Sequence, residues 1–481
     1  MNHRAVLRVL GFIAMAAGAA MLPPAGLAWL DGSADFLPLL ISAGIQLVSG
    51  LVVLITTSGS VDLRIKDGFA IVTFGWLAAA LFGALPYYLS GVCPNPINAF
   101  FESMSGFTTT GATIFTDIES LPRGLLLWRS LTQWLGGMGI VVLSVAVLPM
   151  LGIGGMQLFK AEVPGPTADR LSPRIQSTAK ILWGVYVGMS GVETVLLLLG
   201  GMSLFDALCH TFCTVSTGGF STRNASVGGF SSAYIDAVVT VFMFLAGANF
   251  SLHFWLLRRR VRHYMQNEEF RLYALITVVA TLLIGMRLLA GLGMPPLVAL
   301  RLAVFQSVSI LTSTGFGTGD FLLWGFGVQI MLFAMMFCGG CAGSTGGGMK
   351  LMRVLVLAKH GIREIRKHMH PQAIFNVRLS GKLVSDDVMM RILGFFLLYM
   401  SVFILVAMAV AAMGVDTVTA FGASIATLSN IGPGLGDVGP GSTYAGIPMV
   451  AKLLLTASML LGRLELFTVL ILLTPMFWRK T

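Results

Sequence analysis

Ten apolar runs of about 20 residues dominate the chain, near 8–30, 37–56, 69–90, 126–151, 181–200, 236–257, 273–292, 325–349, 390–414 and 447–477. Runs of that length are more than a soluble core needs, and each is long enough to cross the hydrocarbon of a bilayer as a helix. Only 11% of the 481 residues are charged while 56% are hydrophobic, against roughly a quarter charged in soluble domains. The reading is an all-α integral membrane protein. Periodic Gly-X-Y, dense cysteine and long polar tracts are all missing, which excludes a collagen, a disulfide scaffold, a disordered chain and a cytosolic enzyme.

The net charge of +10 invites a nucleic-acid reading, but its distribution says otherwise. With the N-terminus in the cytoplasm, the inside segments and their flanks carry Arg4 and Arg8; Arg64 and Lys66; Lys160, Arg170, Arg174 and Lys180; Arg258, Arg259, Arg260, Arg262 and Arg271; nine from 350 to 391; and Arg479 and Lys480. That is 24 of the 31 Lys and Arg, the inside excess that orients a polytopic protein, with both termini cytoplasmic. Arg4 and Arg8 before an apolar run resemble a signal peptide, but no cleavage site follows, so the segment reads as a retained anchor. Cys93, Cys209, Cys213, Cys338 and Cys341 form no secreted framework.

Between the crossings lie four shorter semi-apolar stretches, each ending in a Ser/Thr/Gly cluster: FFESMSGFTTTGATIF, FDALCHTFCTVSTGGFS, LAVFQSVSILTSTGFGTGDF and VTAFGASIATLSNIGPGLGD. Aligned on Gly111, Gly218, Gly315 and Gly432 they recur about every 100 residues, the mark of one unit used four times. Each unit reads as outer helix, pore helix, glycine loop and inner helix, giving pore repeats 61–160, 161–265, 266–370 and 371–481 after two N-terminal helices in 1–60. Irregular backbone at membrane depth survives only where protein or a water-filled cavity covers it, and four loops meeting on one axis make such a cavity. The inner helices carry WLGGMGI, FLAGANF, FCGGCAGSTGGG and LLGRLELF. Small residues there permit close helix packing or bending. Gly339, Gly340, Gly343, Gly346, Gly347 and Gly348 would each forfeit roughly 1 kcal/mol against Ala in a helix, so the third stretch reads as a loop that interrupts its helix.

A cation crosses hydrocarbon only where oxygens replace its hydration shell, and inward-facing backbone carbonyls do so without added charge. Holding successive carbonyls inward requires left-handed backbone, which glycine adopts freely. The preceding Thr109 and Thr110, Ser216 and Thr217, and Ser313 and Thr314 add hard oxygens suited to alkali ions; the fourth loop differs, with Asn430 and Ile431 before its glycine.

The loops TTTGAT, STGGFS, STGFGT and SNIGPGLG, with the broken third inner helix and MLLGRLELF in the fourth, resemble the Trk/Ktr/HKT superfamily of potassium transporters, over nearly the whole chain from about Gly68. The two extra N-terminal spans are similar to the TrkH type. The resemblance implies uptake of potassium ion, with rubidium permeant, across a bacterial inner membrane. It assigns the coordinating positions to Thr109, Thr110, Gly111, Ser216, Thr217, Gly218, Ser313, Thr314, Gly315, Asn430, Ile431 and Gly432. It further implies a homodimer and a cytosolic nucleotide-binding partner of the TrkA type. In plant relatives a serine at the first filter glycine accompanies sodium permeation; Gly111 is kept here, which favours potassium over a sodium or mixed Na+/K+ carrier of the same fold.

Arg463 lies midway along the last span, where a centred arginine costs at least about 2.5–3.5 kcal/mol. Two readings stand: an ion pair with Glu465 or Glu193, or a charge facing the pore, as in similar TrkH proteins, gating it together with the glycine loop. Glu102, Asp117, Asp206, Asp320, Asp416 and Asp437 read as solvated surface or as an electronegative vestibule on the outer side. GSTGGGMK is no phosphate loop, because Met349 displaces Lys350 and no strand precedes it. Cys338 and Cys341 have redox spacing without a βαβ context, and His368 and His370 lie in a basic loop. No catalytic group of acids or metal ligands converges, so an enzyme is not expected.

Overall fold

The computed structural model describes residues 1–57, 65–142 and 175–479. Part of the expected 126–151 crossing, Arg64, Lys160, Arg170, Arg174 and Lys480 lie outside the described residues. Within them the chain is helical almost throughout. Six helices are long and apolar enough to cross a membrane: His3–Leu30, Phe36–Thr56, Lys66–Leu89, Lys180–Leu199, Glu268–Leu292 and Asp386–Ala412. Their outer faces expose Val48, Val192, Val278, Leu282 and Leu405, side chains that only lipid would solvate well.

Two of the ten expected crossings are sharply bent. Ala233–Ala246 and Phe250–Leu257 meet at 103°, and Met449–Arg463 and Phe467–Leu473 meet at 111°; counting each pair as one span gives eight. At the first bend Asn249 caps the new helix by accepting the Ser251 N–H at 2.8 Å. At the second, Glu465 and Leu466 take positive φ values of 57° and 50°, a conformation that costs a non-glycine residue on the order of 1–3 kcal/mol. An ion pair from Glu465 to Arg353 holds that turn. A third interruption was expected: Phe326–Met336 ends early, and 337–350 forms a loop before Leu351–Met369 begins. A two-residue parallel pairing, Cys338 with Met349 and Gly339 with Lys350, closes the loop's neck.

Four short helices, Pro96–Phe107, Leu204–Val215, Pro296–Leu311 and Thr417–Leu428, occupy the stretches that read as pore helices. Asn95, Ser203 and Asp416 cap three of them, accepting N–H groups of the first turn at 2.9, 3.1 and 3.0 Å, and Pro295–Pro296 starts the third. Their last turns are buried on every side, as Glu102 to Phe107 and Phe305 to Leu311 show. Close packing around these four helices, rather than around any one long helix, forms the interior.

Candidate ion path at the four glycine loops

Each short helix ends the same way. The second residue beyond its end turns left-handed, at Thr109 (φ 52°), Thr217 (55°), Ser313 (60°) and Asn430 (52°), and a glycine two places on does so again, at Gly111 (80°), Gly219 (78°), Gly315 (79°) and Gly432 (96°). The hydrogen bonds repeat with them. Thr110, Gly218, Thr314 and Ile431 donate their N–H groups back to Ser105, Cys213, Ser309 and Ala426 at 2.8, 2.8, 2.9 and 2.9 Å. The second loop is therefore out of register by one with its sequence alignment: Gly219, not Gly218, corresponds to Gly111. Gly218 stands where the first and third loops have Thr110 and Thr314, and Ser216 stands level with Thr108, Thr312 and Ser429. Two consecutive glycines caused the misalignment, since both types of backbone are open to either.

The four loops touch in a closed cycle. A Cβ on Gly111 would lie 2.2 Å from the Gly218 carbonyl oxygen, one on Gly219 2.0 Å from that of Thr314, one on Gly315 1.8 Å from that of Ile431, and one on Gly432 2.7 Å from that of Thr110. No side chain fits at any of these places. All twelve sequence-predicted loop residues gather here, Ser216 one step further back than expected. The C-terminal ends of the four short helices converge on the same ring, and the partial negative charge of their terminal carbonyls favours a cation.

Three polar side chains that sequence reasoning did not single out, Arg129, Gln133 and Tyr444, brace the ring. Arg129, fully buried, bonds Glu102 at 2.8 Å, the Ser221 carbonyl at 3.2 Å and Thr113 Oγ1 at 3.2 Å, with its guanidinium 3.9 Å over the Phe220 ring. Glu102 also accepts the Ile114 N–H at 2.9 Å, so it belongs to the interior and not to an outer vestibule. Its burial beside an arginine leaves no exposed charge to collect ions. Gln133 donates to the Gly218 carbonyl at 2.6 Å and accepts the Phe220 N–H at 3.0 Å, and the Tyr444 hydroxyl donates to the Gly432 carbonyl at 2.8 Å. An arginine inside a predicted crossing was a signal that a buried acid must lie nearby; which acid only the fold shows. Of the other outer acids, Asp117, Asp416 and Asp437 are exposed. Hydrogen bonds from Asn224 to Asp117 and from Thr419 to Asp416 hold these two carboxyls below the usual carboxylate range.

The glycine loop 337–350 lies directly against the ring. Its Gly347 N–H donates to Ser313 Oγ at 2.6 Å, and Thr345 Oγ1 donates to the Val215 carbonyl at 3.0 Å. A Cβ on Gly347 would sit 2.3 Å from the Ser429 carbonyl oxygen, and one on Gly339 1.8 Å from that of Gly347. Gly340 packs in the same way on Gly247, Gly346 on Thr312 and Gly343 on Asn249. Arg463 takes neither acid partner: its guanidinium donates to the Thr345 carbonyl at 2.8 Å and to that of Gly136 at 2.9 Å, while Glu465 pairs with Arg353. Lys350 Nζ donates to the Gly346 carbonyl. Arg463 of the last inner helix and Lys350 of the loop itself thus each donate to a loop carbonyl. Among the described residues no group of three His, Cys, Asp or Glu is placed to hold a metal ion.

Fold and site together define a multi-pass helical membrane protein with a central cation-favouring ring. A family model for TrkH, cation transport protein, matches residues 42–480. The chain is 43% identical to the Trk system potassium uptake protein TrkH of Halomonas elongata, over the whole of both chains, and 36% identical to TrkG of Escherichia coli over 99% of each. The crystal structure of the potassium transporter TrkH from Vibrio parahaemolyticus matches it with a TM-score of 0.90 at 38% identity, covering both chains completely. The chain belongs to the TrkH family of cation transport proteins.

Two outcomes follow for substitution at the ring. Gly219→Ala abolishes cation flux in proteoliposomes, since its Cβ meets backbone, whereas Gly218→Ala meets only the Gln133 side chain and keeps measurable flux; the reverse order would restore the sequence register. Glu102→Gln leaves Arg129 buried without its counter-charge, so the thermal midpoint in detergent falls by an amount equivalent to about 3–5 kcal/mol, against little change if the pair were solvent-screened.

Proposed function

We propose that the chain takes up potassium across the bacterial cytoplasmic membrane, the ions passing through the ring formed by Thr109 to Gly111, Thr217 to Gly219, Ser313 to Gly315 and Asn430 to Gly432. The closed cycle of glycine-to-carbonyl contacts carries this reading, because four backbone segments, four helix C-termini and a set of hard oxygens meet there. Potassium ion is cargo here, with rubidium as its tracer. The relatives named as potassium uptake proteins support the same choice of ion.

In this reading the chain comprises two N-terminal crossings in 1–60 and four pore units, 61–160, 161–265, 266–370 and 371–481, with two crossings each and both termini in the cytoplasm. Below the ring, Arg463 and the loop 337–350 form the gate. Gly339, Gly340, Gly343, Gly346, Gly347 and Gly348 let the loop lie flat against the half-helix ends, and the Arg463 charge repels a cation that has passed the ring. The basic segments 258–271 and 350–382 face the cytosol, where a nucleotide-binding subunit of the TrkA type opens the gate, and the protein works as a homodimer in lipid. Nucleic acid has no part in it.

Proteoliposome flux tests the reading. Arg463→Ala raises rubidium entry above wild type in the absence of any partner, and potassium competes with that entry while an equal concentration of sodium does not. Flux no higher than wild type would remove Arg463 from the gate, and equal competition by sodium would make the chain a sodium or mixed carrier.

A further inference from the structure

Glu269 is buried at the start of the helix Glu268–Leu292, and one of its carboxylate oxygens reaches both limbs of the loop. Oε1 accepts the N–H of Ala342, inside the loop, at 2.6 Å, and the N–H of Met352, in the first turn of the outgoing helix Leu351–Met369, at 3.0 Å. A single oxygen thus ties the limbs to one another and both to the third outer helix. The negative charge sits at the N-terminus of Leu351–Met369, where unpaired N–H groups favour it. The adjacent Glu268 pairs with Lys359 further along that helix, and Lys359 also donates to the Arg378 carbonyl at 2.7 Å. On the opposite side the loop is fastened to the bend of the second inner helix, by Cys341 N–H to the Gly247 carbonyl at 2.8 Å and by Phe250 N–H to the Gly343 carbonyl at 3.1 Å.

The chain between these two fastenings is short. Residues 258–267 connect the bent helix Phe250–Leu257 to Glu268 and carry Arg258, Arg259, Arg260 and Arg262. Tyr264 Oη bonds His253 Nδ1 at 2.6 Å, which secures this linker to the bent helix, and Asn267 caps the helix of Glu269 by accepting the Phe270 N–H at 2.8 Å. A displacement of the linker therefore moves the start of the helix that carries Glu269, and with it both limbs of the loop.

We propose that Glu269 is a positioning residue of the gate: its carboxylate holds the loop 337–350 against the ring, and a shift of the linker 258–267 frees the loop by drawing that carboxylate away. This rests on the gate assigned above. Glu269 touches no ion; it acts through Ala342 and Met352.

The test uses the full chain in proteoliposomes without a partner. Glu269→Ala raises basal rubidium flux on the order of tenfold, the expected consequence of losing hydrogen bonds to a charged acceptor. Glu269→Asp keeps the charge but falls one methylene short, and raises flux as well; Glu269→Gln retains an acceptor at full reach and restores the restriction. In a Cys338→Ser background, alkylation of Cys341, buried when the loop is closed, accelerates in the Ala and Asp variants in step with flux, read by peptide mass spectrometry. Flux that falls with Cys341 still protected would assign Glu269 a merely structural role and overturn the proposal. A loop shortened by deleting Gly346 and Gly347 separates the two levels. If it opens while the Ala and Asp variants stay closed, Glu269 is not the tie although the gate stands; if it too stays closed, the gate fails and this inference with it.

Discussion

Four glycines resting against four carbonyls set the limits within which the rest of the molecule is built. Each contact lies closer than any Cβ allows, and the cycle closes only when all four loops keep the same register. A left-handed residue two positions before each glycine turns the chain sharply off its short helix, so that helix direction, loop height and carbonyl position are fixed together. The consequence is electrostatic as well as steric. Four helix C-termini share one centre, a costly arrangement for their dipoles unless a cation visits it.

The bracing around the ring follows from that repulsion between like ends. Arg129 sets a full positive charge between the first and second loops, neutralised by Glu102 and covered by Phe220. Gln133 and Tyr444 fix individual carbonyls of the second and fourth loops. Asn430 adds an asymmetry of its own: its side-chain amide donates to Thr110 Oγ1 and to the Met459 carbonyl, each at 2.9 Å, tying the fourth loop to the first and to the last inner helix. The loop 337–350 reaches Ser313 and Val215, and Arg463 reaches the loop, so hydrogen bonds join the ring, the loop and the last inner helix. Breaks in three inner helices at Gly247, at 337–350 and at Glu465 make room for that layer.

Much of this was legible in the sequence. Straight crossings such as Phe36–Thr56 and Asp386–Ala412 announce themselves because lipid demands an unbroken apolar run. The four short helices were legible from their recurrence and their polar ends, and the loop at 337–350 from its glycines. The bends at 247–249 and 464–466 were legible only as one of two readings, because small residues in FLAGANF and LLGRLELF permit packing or bending alike and hydropathy does not register direction. The register of the second loop was ambiguous by construction, with Gly218 and Gly219 side by side. Arg129 went unread although it lies inside a predicted crossing, and Glu102 was read as outer surface or vestibule; 27 positions apart in the chain, they become a pair only once the short helix folds back. Arg463 was placed by its position in the last span, while its partners, two backbone carbonyls, have no signature in side-chain chemistry.

The ring as an ion path is tested most directly by anomalous scattering from crystals of this chain grown in rubidium. The account predicts a rubidium peak on the axis enclosed by the carbonyls of Thr110, Gly218, Thr314 and Ile431. Rubidium bound only elsewhere at saturating concentration, with density between those four carbonyls at background, would contradict it.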